Sequence, residues 1–109
     1  MEKSKKYLSD ILLAINLIEE FTVDIKDFDS YQDDLKTQSA VERQLVIIGE
    51  ALNKIKSINP ELRIKNDKQI IGFRNRLVHA YDNTIVWLIL NRYLTNLKNE
   101  IKDLNSNYH

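Results

Sequence analysis

The sequence predicts an all-α domain, an up-and-down bundle of four main helices with a possible short extra helix. Apolar residues recur at intervals of three and four along four long segments, the periodicity of amphipathic helices. Only two glycines and one proline occur in 109 residues, which leaves few positions for turns. No segment alternates apolar and polar residues as a half-buried strand does. We therefore expect residues 1–109 to form one domain with a frayed tail at 105–109.

The first long helix is predicted to begin at residue 3 or 4 and to end at residue 21. Its apolar stripe consists of Leu8, Ile11, Leu12, Ile15, Ile18 and Phe21, with Leu17 widening it. The segment that follows, residues 24–34, is rich in aspartate, which favours helix caps and bends. Phe28, Tyr31 and Leu35 are expected to anchor one or two short helical turns there.

The second long helix is predicted over residues 34–58. One face of it holds Ala40, Val41, Leu45, Ile48, Leu52 and Ile55. Gln38 and Arg43 are expected to lie off this face. Gly49 inside a helix costs about 1 kcal/mol relative to Ala. We therefore expect another helix to cross closely at Gly49, and likewise at Gly72 in the next helix.

The third long helix is predicted to run from about residue 67 to about residue 80. Pro60 ends the preceding helix, because proline cannot continue it, and can itself start a short turn. Asn66 is predicted to be the N-cap, with Asp67 favourable in the first turn. The residues expected to face the core are Ile70, Phe73, Leu77 and Val78.

The last helix is predicted to be capped by Thr84 and to end near residue 104. Its mostly apolar stripe consists of Ile85, Leu88, Ile89, Arg92, Leu94, Leu97 and Ile101. Trp87 and Tyr93 are expected on the flank of this stripe.

Composition excludes several classes of protein. The chain has no cysteine, which excludes a disulfide scaffold and a thiolate metal site. No apolar run approaches 18 residues, so we expect no transmembrane helix, and the amphipathic N-terminus does not resemble an export signal. These features favour a cytoplasmic location. The net charge of zero is unlike that of proteins that bind nucleic acid over a wide basic footprint.

The charges are unevenly distributed along the chain. Residues 63–79 contain one acid, Asp67, and five basic residues: Arg63, Lys65, Lys68, Arg74 and Arg76. Residues 24–36 contain two lysines and five acids: Asp24, Asp27, Asp29, Asp33 and Asp34. The sequence therefore allows a compact basic patch, whereas the acidic run is best interpreted as a solvated face.

Residues 74–81, RNRLVHAY, are the segment most suited to phosphate binding and proton transfer. On a helix, Asn75 and Arg76 are neighbours of His79, and Arg74 lies about 140° from His79 around the axis. Arginine offers a planar fork that matches phosphate oxygens, and histidine exchanges a proton near neutral pH. Together these groups suit phosphodiester chemistry without a metal. The alternative is a solvated helix edge, with His79 placed favourably near the helix C-terminus.

This string resembles the Arg-x4-His-x-Tyr signature of HEPN-fold toxins of the HepT type. Arg74, His79 and Tyr81 match the signature, and the polar Asn75 follows the arginine as it often does in HEPN ribonucleases. Upstream, residues 40–45 (AVERQL) and 47–51 (IIGEA) resemble the long helix of that family. The resemblance covers most of the chain.

The resemblance implies an endoribonuclease toxin that uses no metal or other cofactor. His79 would be the general acid or base and Arg74 would bind the scissile phosphate. Asn75 would orient phosphate or imidazole, and Arg76 would add electrostatic support or face solvent. In HepT-like toxins the tyrosine that matches Tyr81 is adenylylated by a partner antitoxin, a minimal nucleotidyltransferase.

A catalytic form is expected to be a dimer or a higher even oligomer. The only other histidine, His109, is the last residue, so one chain supplies one credible titrating group. Cleavage through the 2′-hydroxyl needs both a base and an acid, and a two-fold dimer would bring two His79 side chains together. HEPN ribonucleases are built in this way, so the resemblance implies the same arrangement.

Two other hypotheses remain open. The chain could be a non-catalytic HEPN subunit that binds a nucleotide or assists a nucleotidyltransferase, or it could be a helical oligomerisation module. Glu50 could support the site or form a surface ion pair. A metal site at His79 and Asp82 is disfavoured because two ligands are too few.

Overall fold

A computed structural model describes residues 2–79 and 83–106; the side chains of Glu2, Arg74 and residues 76–79 lie outside that description. Within it the chain is an all-α up-and-down bundle, as predicted. Its elements are α1 (Glu2–Phe21), α2 (Phe28–Gln32), α3 (Leu35–Ile58), α4 (Asp67–His79), α5 (Asn83–Leu88), a π-helical segment (Ile89–Tyr93) and α6 (Leu94–Ser106). No helix in the described ranges is long and apolar enough to cross a membrane.

The core lies between α1, α3 and the last helix. Helix α1 packs against α3 and α6, and α3 also packs against α4. The predicted stripes supply most of the buried residues, among them Leu8, Ile11, Ile15, Ile18, Val41, Leu45, Ile48, Leu52 and Ile55. Phe21, which the sequence placed on the stripe of α1, is instead 36% exposed, because α1 ends there and the chain turns away.

The aspartates before α3 act as helix caps, as their composition indicated. The Asp27 carboxylate accepts the Ser30 backbone N–H (2.8 Å) at the start of α2. The Asp34 carboxylate accepts the Thr37 hydroxyl (2.6 Å) and the Thr37 backbone N–H (3.0 Å) at the start of α3. Hydrogen bonds from Ser30 hold the pKa of Asp27 below its ordinary value, and those from Thr37 do the same for the pKa of Asp34.

The side-chain amide of Gln38 on α3 forms hydrogen bonds to α2, although the sequence predicted that Gln38 lies off the core face. Gln38 is only 3% exposed. Its Nε2 donates to the backbone carbonyls of Tyr31 (2.7 Å) and Gln32 (2.8 Å). The last carbonyls of a helix lack intrahelical partners, so a buried donor satisfies them better than an apolar side chain would. Leu35, predicted as an anchor of this region, is instead 74% exposed.

Aromatic side chains cover the other side of α2, as predicted. Tyr31 is fully buried and Phe28 is half-buried. The ring of Trp87 on α5 lies 5.6 Å from that of Tyr31 and 6.2 Å from that of Phe28, between ring centroids. Trp87 is therefore at the flank of the last helix, where the sequence placed it.

The last helix departs from regular α-helical register in its middle. The Leu94 backbone N–H donates to the Ile89 carbonyl, five residues back, which is the hydrogen bond of a π-helix. The extra residue lets Ile89 and Leu94 share one buried face although they are five residues apart. The resulting stripe is Val86, Ile89, Leu94, Leu97 and Ile101.

The regular α-helix predicted for this region was therefore wrong in four details. Leu88 is 40% exposed rather than core-facing, and Arg92 is also exposed. Thr84 lies inside α5, which begins at Asn83, and so is not the cap. Helix α6 continues to Ser106, so residues 105–106 are helical rather than frayed.

Candidate active site

The helix that carries the RNRLVHAY string is preceded by an eight-residue connection, residues 59–66. The Asn59 backbone N–H donates to the Ile55 carbonyl at the end of α3. Pro60 and Glu61 then form a turn, which the Leu62 N–H closes on the Asn59 carbonyl (3.1 Å). The sequence predicted both the break and the turn from the single proline.

Asn66 directs the chain into α4. Its φ of 65° lies in the left-handed region, which asparagine tolerates better than most residues do. The Ile70 N–H donates to the Asn66 carbonyl (3.1 Å), so Asn66 occupies the capping position that the sequence assigned to it. The Asp67 carboxylate accepts the Lys68 N–H (2.7 Å), a favourable arrangement in the first turn of a helix.

The first half of α4 is fixed by apolar contacts. Ile70 is 2% exposed and Ile64, just before the helix, is also buried. The half-buried ring of Phe73 lies 6.2 Å from the ring of Tyr93, the last residue of the π-helical segment. Phe73 and Ile70 therefore face the core as predicted, and Tyr93 lies on the flank as predicted. Leu77 and Val78 have side chains outside the described part.

The motif begins at Arg74, directly after the anchoring residue Phe73. Arg74 and His79 both lie within α4, so their backbone positions are about 140° apart around the axis and about 7.5 Å apart along it. The Asn75 side chain is exposed. The side chains of Arg74, Arg76 and His79, and the whole of Tyr81, lie outside the described residues, so their roles remain predictions.

One exposed face of α4 leads to His79. Lys68, Gly72 and Asn75 are all exposed, and with the backbone position of His79 they fall within a sector of about 60° on this helix. A Cβ placed on Gly72 would meet nothing within 4 Å in the part of the chain that the structure describes. The prediction that another helix of this chain crosses closely at Gly72 is therefore wrong, because Gly72 faces outward. Gly49, by contrast, is buried on α3.

Basic residues surround a cleft at the end of α3. The cleft has a volume of about 390 Å³. It is lined by Lys56, Pro60, Leu62, Arg63, Ile64, Lys65, Asp67, Lys68 and Glu100. The sequence predicted a basic patch from three of these residues, Arg63, Lys65 and Lys68. It missed Lys56 and Glu100, which are distant in sequence and reach the cleft only through the packing of α3 and α6.

Glu50 lies on α3 beside a second cleft. It is exposed on α3 and lines a shallow cleft with Tyr7, Asp10 and Lys54, between α1 and α3. Among the described residues, no group of three or more His, Cys, Asp and Glu side chains is arranged to hold a metal ion.

An all-α bundle whose sequence carries an Arg-x4-His-x-Tyr string, with Arg74 and His79 on α4, is typical of HEPN-type proteins. The profile of the family described as "Ribonuclease HepT-like" matches residues 11–104. The chain belongs to this family.

Named relatives agree with that assignment. A protein of Thermococcus cleftensis called "Probable ribonuclease HepT" is 39% identical over 95% of this chain and 98% of its own length. A candidate RNase of Methanocaldococcus jannaschii is 35% identical over 90% of this chain and 93% of its own length. Another, of Caldanaerobacter subterraneus subsp. tengcongensis, is 30% identical over 95% of this chain and 96% of its own length. No solved structure matches the chain significantly.

Proposed function

We propose that this chain is a metal-independent endoribonuclease, and that it acts as the toxin of a toxin–antitoxin pair. The observation that carries the proposal is the position of the Arg-x4-His string. It lies within the segment matched to a ribonuclease family and on a helix whose preceding turn is anchored to the core through Ile70 and Phe73. A helix fixed in this way supports the constant geometry that catalysis needs.

The proposed reaction is attack by the RNA's own 2′-hydroxyl. A base removes the proton of that hydroxyl, and the oxygen forms a bond to the adjacent phosphorus. The bond from phosphorus to the 5′-oxygen breaks, and an acid returns a proton to that oxygen. The products are a 2′,3′-cyclic phosphate and a 5′-hydroxyl, and no metal or other cofactor takes part.

Four polar residues of the string have roles in this reaction. His79 is the general acid or base. Arg74 binds the scissile phosphate and stabilises the charge that develops on it. Asn75, which is exposed on α4, orients the phosphate or the imidazole, and Arg76 provides electrostatic support. Since one chain contributes one such histidine, the second proton-transfer group comes from the partner in a homodimer.

The test is RNA cleavage by the purified protein in EDTA. We expect the wild type to cut RNA and both His79→Ala and Arg74→Ala to lose cleavage while remaining folded by circular dichroism. His109→Ala is the matched control because it removes the only other histidine, and it should retain activity. Full activity in His79→Ala would refute the mechanism. A folded wild type with the mass of the unmodified chain that cuts no RNA would favour a nucleotide-binding accessory subunit instead.

We further propose that Tyr81 is the residue through which a nucleotidyltransferase antitoxin inactivates the protein. The Tyr81 hydroxyl would attack the α-phosphorus of ATP, form a phosphodiester to AMP and release pyrophosphate. The added negative charge would lie two residues from His79 and compete with the substrate phosphate for Arg74.

Intact mass after incubation with the antitoxin and ATP measures this reaction. The wild type should gain the mass of an AMP group and lose cleavage, whereas Tyr81→Phe should gain no mass and remain active. Tyr93→Phe is the control for a non-specific transfer. AMP on any residue other than Tyr81 would contradict the proposal.

A further inference from the structure

Four basic side chains around the cleft at the end of α3 have no partner within the described residues. They are Lys56, Arg63, Lys65 and Lys68. All four are exposed. None of their charged groups forms an ion pair or hydrogen bond within the described ranges. Their charges are therefore available to a ligand.

The two acids of the cleft are engaged with the chain's own backbone. Glu100 on α6 accepts the Lys65 N–H (2.8 Å), and Asp67 accepts the Lys68 N–H (2.7 Å). Four positive charges against two negative ones leave the cleft with a net charge of +2. Because these backbone amides are occupied, an anion in the cleft would be bound by ammonium and guanidinium groups.

The cleft adjoins a groove that leads along α4. Lys68 lines both: the groove, of about 330 Å³, is formed by Lys68, Gln69, Gly72 and Phe73. Gly72 leaves it open because it has no side chain there. Two residues of this groove, Lys68 and Gly72, lie on the exposed face of α4 that also holds the backbone position of His79. Lys68 and His79 are eleven residues apart on this helix, which is about 17 Å along its axis.

We propose that this cleft is a phosphate-binding subsite for the RNA backbone, and that the strand runs from it along the groove of α4 to His79. The inference rests on the proposed ribonuclease function and names where its substrate is held. A polyanion such as the RNA backbone matches a cluster of unengaged cations, one of which, Lys68, lies on the candidate catalytic helix. Lysine ammonium groups bind phosphate as point charges, so this contact is independent of base sequence and sensitive to salt.

The distance sets the length of RNA that can use the subsite. At about 3.4 Å per stacked nucleotide, 17 Å corresponds to about five nucleotides. An RNA of about three nucleotides cannot bridge His79 and the cleft, whereas one of about twelve can.

The experiment measures RNA affinity in the His79→Ala background, so that cleavage does not interfere. The double variant Lys65→Gln/Lys68→Gln should bind the longer RNA about tenfold more weakly at low salt. Its plot of log affinity against log salt should be shallower by about 1.4, since each phosphate contact on a single strand contributes about 0.7. The affinity for the three-nucleotide RNA should fall less, because that RNA can occupy either the cleft or the active site but cannot join them. Lys65→Arg/Lys68→Arg, which keeps both charges, should retain the affinity.

Lys26→Gln/Lys36→Gln is the matched control. It removes the same charge from exposed lysines, and Lys36 lies about 30 Å from Lys56 along α3. Equal losses in the two double variants, or equal losses for both RNA lengths, would overturn the subsite. Intact RNA affinity together with lost binding of the antitoxin would assign the cleft to a protein and also overturn it. Cleft-dependent RNA binding without cleavage by the wild-type protein would support the subsite and contradict the proposed catalysis. Cleavage that does not depend on the cleft would support the proposed catalysis and contradict the subsite.

Discussion

Gln38 joins two helices through a single side chain. Its Nε2 donates to the carbonyls of Tyr31 and Gln32, and the residue is buried between α2 and α3. We expect Gln38→Met, which keeps the length but removes the donor, to lower the free energy of unfolding by about 1–3 kcal/mol, because two hydrogen bonds worth about 0.5–1.5 kcal/mol each would be lost. Urea unfolding followed by circular dichroism measures this.

Gln44→Met is the control for the Gln38 substitution. Gln44 is a half-buried glutamine on the same helix with no hydrogen bond described to α2, so its replacement should cost less. Equal stability of Gln38→Met and the wild type would mean that these hydrogen bonds contribute nothing net.

The cap of α3 gives the fold a defined response to acid. Hydrogen bonds from Thr37 place the pKa of Asp34 in the folded protein below its ordinary value of 3.8. The carboxylate therefore stabilises the folded state above pH 3.8, and this contribution is lost as the pH falls through the lower folded-state pKa. Asp34→Asn keeps a capping acceptor but cannot titrate, so its thermal midpoint should fall less than that of the wild type on acidification below pH 3.8.

Asp33→Asn is the matched control for the acid response. Asp33 is the exposed neighbour of Asp34 and its side chain makes no described hydrogen bond. Its substitution should leave the acid dependence as in the wild type. Identical acid curves for the wild type and Asp34→Asn would contradict the role assigned to the cap.

At the scale of an element, the π-helical segment places the apolar residues before it and those after it on one face of the last helix. Ile89 and Leu94 are buried five residues apart, a spacing that would rotate them by about 140° in a regular α-helix. The single extra residue restores the common face. Tyr93, which contacts Phe73 on α4, ends this segment, so the insertion also determines what supports the motif helix.

Deletion of one residue tests this account. Removing Asn91 from the π-helical segment shortens the spacing from Ile89 to Leu94 to four, which a regular α-helix accommodates. Removing Asn99 from α6 rotates Ile101 by about 100° out of the core. We expect the Asn99 deletion to lower the thermal midpoint much more than the Asn91 deletion, although both remove an exposed asparagine. Equal losses would mean that the π-helical turn is needed for more than register.

At the scale of the whole molecule, the proposed active site requires two copies of the chain. Cleavage per chain should therefore fall as the protein is diluted below the dimer dissociation constant, because a monomer lacks the second proton-transfer group. Sedimentation velocity over the same concentrations would measure the dimer fraction independently. A rate per chain that stays constant while the dimer dissociates would contradict a shared site.

Much of this molecule followed from local chemistry. Apolar periodicity predicted α1, α3 and α4 within a residue or two, because each buries one face and the spacing of that face is recorded in the chain. The proline at 60 and the predicted cap Asn66 indicated the break between α3 and α4. The motif string identified the candidate catalytic helix through its resemblance to a known family.

Three features were decided only by tertiary structure. Gln38 is buried because the end of α2 happens to present two carbonyls to it, a contact between separate helices. The π-helical turn exists because Val86 and Ile101 must face one core, although the intervening sequence is one residue too long for a regular helix. Lys56 and Glu100 line one cleft with Lys65 and Lys68 because the end of α3 and the middle of α6 lie beside the same connection, residues 59–66. The sequence by itself determined which segments are helical and where the chemistry lies along them, since both depend on neighbouring residues. The assembly of the cleft and the register of the last helix depend on residues far apart in the chain, so packing alone could fix them.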